Sequence, residues 1–338
     1  MQYERIGSPS PHRARPGRRR VLRWAGLGAM SLLAAAKVVD IAVPDPSVGH
    51  WRSAGAKERY EAAYAQTLAP LPEPDAVRDL PTRFGSVRAL TWIGEAPGPP
   101  VLLLPGRSSG APMWAENLPG WIGRRTVHAL DPIGDAGFST QNLPMASPDD
   151  QSVWIADAAE GLGAEQAHVV GHSFGGASAA LLALHRPQLV RTLGLLEPVI
   201  VVRPLPASMY LWSALLLLPA PQSWKDEALG RIGGASAEEV RDSGPMSRMI
   251  DEATTGYAAA LPTPRKLTDA QWSALSMPVR LDIGEDSQLA GGPAAAERIR
   301  GLLPQATVTV WPGATHSLPM EEKESLGPAL LDFWALHS

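Results

Sequence analysis

From Arg83 onward the chain alternates short apolar runs with helix-forming stretches, and this rhythm constrains its fold more than any other feature. The runs are VRALTWI (87–93), VLLLP (101–105), TVHAL (126–130), AHVVG (167–171), TLGLLE (192–197), VRLDIG (279–284) and TVTVWP (307–312). Gly, Pro or Asp bounds most of them. Continuous apolar strands separated by helices predict a parallel sheet covered on both faces. Ligands of such sheets bind beyond the carboxyl ends of the strands. Each candidate residue below lies just after one of these runs.

The stretch GHSFG (171–175) closes the run AHVVG and opens a predicted helix, GGASAALLALHR (175–186). Ser173 therefore falls in a strand–turn–helix bend. A serine hydroxyl becomes a useful nucleophile when it is exposed, rigidly held and beside a base. Such a bend crowds the backbone, and glycines at 171 and 175 relieve the crowding. The helix that follows points its positive dipole end at the same place.

The sequence upstream reads differently. Residues 52–69 have helical spacing, and Pro70, Pro72 and Pro74 end that helix and read as a linker. Residues 1–20 are rich in Arg, Pro and Ser and are expected to be disordered. Trp24 to Ala36 is uncharged, flanked by Arg23 and Lys37, which is short for a spanning helix and the right size for a signal-peptide core. Arg18-Arg19 resembles a twin-arginine export signal. Export or membrane tethering through residues 21–43 is expected, with a cytoplasmic tail as the alternative.

Charge and cysteine content exclude several classes. The formal net charge is −4, yet the first 23 residues hold seven arginines and one glutamate, which leaves −10 on the remaining 315. An acidic body argues against a nucleic-acid surface. Without cysteine there is no disulfide, thiolate metal site or thiol nucleophile. No histidine pair has metal-ligand spacing with a carboxylate nearby, so neither metal nor cofactor is expected.

Three further stretches, with the bend, resemble the α/β-hydrolase family. LLLPGRSSGAPMW (102–114) resembles the segment after its third strand, ALDPIGDAGFST (129–140) its D-x-x-G-x-G-x-S loop, and WPGATHSLPMEEKESLGPALLDFW (311–334) its histidine loop and last helix. The resemblance implies an α/β fold with a mostly parallel, eight-stranded sheet flanked by helices. It divides the chain into a basic tail with a signal-like segment (1–43), a helix and linker (44–82), a hydrolase core (83–202 and 278–338) and a helical cap (203–277).

The resemblance also implies roles. Ser173 is the nucleophile and His316 the base. The acid is Glu197, after the sixth strand, with Asp286 as the alternative, one residue short of the place where the family's Gly-x-x-Asp turn carries its aspartate. In this chain Ser287 holds that place. The backbone N–H groups of Phe174 and Arg107 form the oxyanion hole, with Gly106 allowing close approach. The Arg107 side chain faces either the pocket or solvent. His172, at the variable position of the bend, reads mainly as a structural residue, with substrate contact as its alternative; Trp114, with Trp121, is a candidate for substrate contact.

The expected activity is hydrolysis of a carboxylic ester, lactone or thioester of a small apolar substrate. A non-catalytic hydrolase-fold receptor or scaffold, and a cofactor-free haloperoxidase-like enzyme, are the alternatives.

Overall fold

The computed structural model describes residues 47–217 and 244–338, with Pro221, Ser223, Trp224 and Glu227 between them. The expected tail and signal-like segment (1–43) lie outside the described residues. In chain order the elements are β1 (His50–Trp51), α1 (Ala54–Leu68), β2 (Ala76–Thr82), β3 (Gly85–Trp92), β4 (Val101–Leu104), β5 (Val127–Leu130), β6 (Thr140–Gln141), α2 (Gln151–Gly161), β7 (Ala167–His172), α3 (Phe174–His185) and β8 (Val190–Leu196). There follow α4 (Ala207–Leu217), α5 (Pro245–Gly256), β9 (Tyr257–Ala258), α6 (Asp269–Ser273), β10 (Val279–Gly284), α7 (Gly292–Leu302), β11 (Thr307–Trp311), α8 (Leu318–Glu321) and α9 (Lys323–Leu336).

The main sheet has the order β11-β10-β8-β7-β4-β5-β3-β2, with β6 added beside β3 as a ninth strand. From β11 to β5 all neighbours are parallel, and β3 pairs antiparallel with both β5 and β2. All seven apolar runs are strands. The period of two sorts their side chains between two cores. Leu102, Leu104 and Val169 join the cluster under α2 and α3, while Val101, Leu103 and Val170 join the cluster under α1 and α9.

Two expectations are corrected. The sheet begins at Ala76 rather than Arg83. Residues 76–82, assigned to a linker, form the edge strand β2, where Pro81 is tolerated because an edge strand has one unpaired side. Polar and proline residues had hidden the strand's pattern.

The helix expected over 52–69 is α1, and the stretch 44–82 also supplies β1 and β2, which makes it more than a helix and linker. Ser53 caps α1 by accepting the Ala56 N–H at 3.1 Å. That helix packs on α5, which lies in the expected cap, and Arg59 pairs with Glu252 at 2.5 Å. β1 pairs antiparallel with β9, bringing His50 opposite Ala258 and Trp51 opposite Tyr257. No described helix is long and apolar enough to cross a membrane.

Candidate functional site

The sheet register brings the site together. β7 lies between β4 and β8, with Gly171 opposite both Leu104 and Leu195, and His172 opposite Leu196. The residues that follow these strands therefore emerge side by side: the Pro105–Ser108 loop, Ser173 and Glu197. The end of β10 adjoins β8, with Asp282 opposite Leu196, and β11 adjoins β10.

Ser173 occupies the bend with φ 55° and ψ −117°, a conformation that L-residues rarely adopt and that surrounding contacts must enforce. Its N–H donates to Leu196 O at 3.0 Å, and its carbonyl accepts from Val199 N at 3.2 Å. A Cβ on Gly171 would lie 2.2 Å from Gly175 O, and one on Gly175 would lie 2.2 Å from Leu104 O. Backbone stands in the way in both places, so Gly175→Ala is expected to cost about 3 kcal/mol or more, or to prevent folding. Chemical denaturation measures this, and a loss below about 1 kcal/mol would contradict the close packing of the bend.

His316 lies between β11 and α8. Its loop is pinned by Thr315, whose N–H and hydroxyl both donate to Glu321 at 2.7 Å. Ser173 Oγ and His316 Nε2 are 2.8 Å apart, and His316 Nδ1 lies 3.0 Å from Glu197 Oε2. A carboxylate only accepts, so Nδ1 carries the proton and Nε2 is free to accept from Ser173. Two further donors hold Glu197: the Ser287 hydroxyl on Oε2 and the Gly284 N–H on Oε1. Glu197 and His316 are fully enclosed. Burial pushes the Glu197 carboxyl up from its usual range, against the pull of the Ser287 hydroxyl and the Gly284 N–H. Burial pushes the His316 imidazole down, keeping it neutral and able to accept a proton.

Of the two candidate acids, the structure brings only Glu197 to His316. The alternative, Asp286, is exposed, and its N–H donates to Ala314 O in the turn after β10. The one-residue offset turns its side chain out, and Ser287 takes the inward place.

The Gly106 loop lies against the bend: a Cβ there would be 3.3 Å from Ser173 Cβ and 3.1 Å from His172 Nδ1. Phe174 opens α3, so its N–H has no intrahelical acceptor. Neither it nor the Arg107 N–H has an acceptor among the described residues.

The loop is held by two aspartates not singled out in the sequence. Asp135 accepts the N–H groups of Ser108 at 2.6 Å and Ala136 at 2.9 Å, while Asp131 accepts those of Ala111 at 2.7 Å and Phe138 at 2.9 Å. Burial pushes both carboxyls up, Asp131 to about 6; the Arg107 charge and two N–H donors oppose the rise at Asp135. Their signal was in the quoted loop, ALDPIGDAGFST, which carries both acids four positions apart.

Of four remaining candidates, the structure overturns the expectation for Trp114 and Trp121 only. Arg107 is half-buried, with Nε sealed from solvent and unpartnered among the described residues, so it is no surface arginine. His172 is buried and donates from Nε2 to His316 O at 2.9 Å, which makes it a support of the histidine loop. Trp114 and Trp121 do not line the mouth: both are fully buried, 6.2 Å apart, in the core under α9. Their apolar surface is worth more inside the core than at a wet cleft. Among the described residues, no group of three or more His, Asp or Glu is placed to hold a metal ion.

Such a line can deprotonate the serine as it attacks an electrophilic carbon. A model of the alpha/beta hydrolase family matches residues 101–325. The chain is 26% identical over 288 residues to carboxylesterase YbfK of Bacillus subtilis, covering 81% of this chain and 93% of that protein. The crystal structure of that carboxylesterase, CesB (YbfK), superposes with a TM-score of 0.69 at 25% identity, over 83% of this chain and 98% of the other. The fold is also that of naproxen esterase from the same organism, with a TM-score of 0.73 at 23% identity, over 84% and 99% of the two chains.

Proposed function

Because the chain belongs to the alpha/beta hydrolase family, we propose that it hydrolyses carboxylic esters through an acyl-enzyme on Ser173. Ser173 Oγ attacks the ester carbonyl while its proton passes to His316 Nε2. Glu197 holds the imidazole in the accepting tautomer and offsets the positive charge it gains. The N–H groups of Phe174 and Arg107 receive the developing oxyanion. His316 then returns the proton to the leaving alcohol, the alkoxide becomes an alcohol, and the acyl group remains on Ser173. Water, deprotonated by the same imidazole, releases the acid and restores the hydroxyl.

The observation that carries this reading is the unbroken line from Ser173 Oγ through His316 to Glu197, at 2.8 and 3.0 Å, set at the strand–helix bend. The names of the similar carboxylesterases agree with it. Export or membrane tethering through residues 21–43 is proposed on the sequence alone.

A panel of p-nitrophenyl esters of rising acyl length tests the proposal. Hydrolysis is expected, fastest at one chain length, with an initial burst of p-nitrophenol wherever deacylation limits the rate. Failure to hydrolyse any member would overturn it.

A further inference from the structure

Ser287 has no part in the reaction described above, yet it touches the residue on which His316 depends. It follows β10 in the turn Gly284-Glu285-Asp286-Ser287 and is 5% exposed. Its hydroxyl donates to Glu197 Oε2, the same oxygen that accepts from His316 Nδ1. Gly284 N–H donates to the other oxygen, Oε1. A carboxylate turns about its last torsion over a broad, roughly two-fold profile. Two donors on different oxygens therefore decide which oxygen faces the imidazole and at what angle.

The hydroxyl is itself directed. Ser287 N–H donates to Gly284 O at 3.2 Å, closing the turn. Ala290 N–H approaches Ser287 Oγ at 3.4 Å, which leaves the hydroxyl proton for the carboxylate. The titratable groups facing Glu197 are His316 and Asp282. Asp282 is held by Arg280 at 2.7 and 2.8 Å and by the Trp311 indole N–H at 2.9 Å. Glu285 and Asp286, in the same turn as Ser287, are exposed.

We propose that Ser287 is a positioning residue for ester hydrolysis: its hydroxyl clamps the Glu197 carboxylate so that Oε2 holds the His316 imidazole in the tautomer that accepts the Ser173 proton. One strand supplies the acid and its neighbour supplies the clamp. The inference rests on the esterase reading for its catalytic meaning, while the clamp itself is a statement about His316.

The test compares wild type, Ser287→Ala and Ser287→Cys, with Asp286→Asn as the neighbouring control. Two quantities are read across pH: kcat and KM on p-nitrophenyl acetate, and the imidazole ¹⁵N signals of His316. Loss of one hydrogen bond to a charged group is expected to lower kcat about tenfold in Ser287→Ala, with KM within about twofold. Without the clamp the carboxylate is less stable relative to its protonated form, so the Glu197–His316 pair takes up its proton at higher pH. The acid limb and the His316 titration should both move up, by about half to one pH unit.

Ser287→Cys, with a weaker donor and nearly the same shape, should move both the same way by less, and it decides the matter if the alanine variant does not fold. His316 signals and titration unchanged in the variants would overturn the clamp, as would a loss of thermal stability without any change in kcat. If wild type hydrolyses no ester, the esterase reading falls and the His316 titration still decides on Ser287.

Discussion

Ser173→Ala is expected to lose ester hydrolysis by about 10⁵- to 10⁶-fold and all labelling by a fluorophosphonate, with its thermal unfolding nearly unchanged. The size of the loss follows from the chemistry. Without Oγ there is no acyl-enzyme, and what remains is the oxyanion donors acting on a bound ester with water as the attacking group. Alanine is the right comparison because it keeps Cβ. The backbone at 173 stands at φ 55°, and glycine there would relieve that strain and confuse a catalytic effect with a gain in stability. The Oγ contributes one hydrogen bond, to His316 at 2.8 Å, so the folded chain loses little. Labelling is followed by intact mass and turnover by p-nitrophenol release. Labelling that persists in the alanine variant would place the nucleophile elsewhere and end the proposed mechanism.

The second large effect separates the two carboxylates left open by the sequence. Glu197→Gln is expected to lower kcat about 10³- to 10⁴-fold, while Asp286→Asn stays within about twofold of wild type. In wild type, Gly284 N–H donates to Oε1 and His316 Nδ1–H donates to Oε2. In a glutamine the fixed Gly284 N–H selects the carbonyl oxygen, while the Ser287 hydroxyl can turn and accept, so the amide nitrogen takes the Oε2 place beside His316. Its N–H then donates to Nδ1, the imidazole proton moves to Nε2, and the nitrogen that should accept from Ser173 is blocked. Asp286 has no such geometry; its side chain is exposed in the turn. Steady-state kinetics on the two purified variants decide the point. A glutamine variant within tenfold of wild type would show that Glu197 does not orient the base.

Much of the site was legible because its chemistry is local. Gly171, Ser173 and Gly175 are needed within one bend, where a side chain on either glycine would strike backbone about 2.2 Å away. His316 stood out as a histidine after the last apolar run. The seven runs were legible for a similar reason: strands covered on both faces must be apolar along their whole length. β2 escaped notice because an edge strand tolerates polar residues and proline. β1 and β9, two residues each, carry no pattern to detect.

The geometry that separates the two candidate acids, the contact of Ser287 with Glu197 and the anchoring of the Gly106 loop were not legible; Glu197 was preferred on resemblance to the family alone. Glu197 and Asp286 are both acids near the end of an apolar run, and a shift of one residue in a turn reverses which way a side chain points. Ser287, 90 positions from Glu197, shows nothing in its own neighbourhood of the carboxylate it meets. Trp114 illustrates the converse error: an aromatic just past the oxyanion loop read as a pocket wall, and packing placed it in the core.

The chain's own order of residues determined the strands and the bend at Ser173, since these depend on periodicity and on steric demands within a few residues, while His316 as the candidate base followed from the resemblance of its loop to the family's. Tertiary structure alone decided that Glu197 rather than Asp286 reaches His316, that Ser287 holds it there, and that α1 packs with α5. Each of these is a contact between distant segments, fixed by sheet register and by the direction of single side chains, and neither quantity is written in local composition.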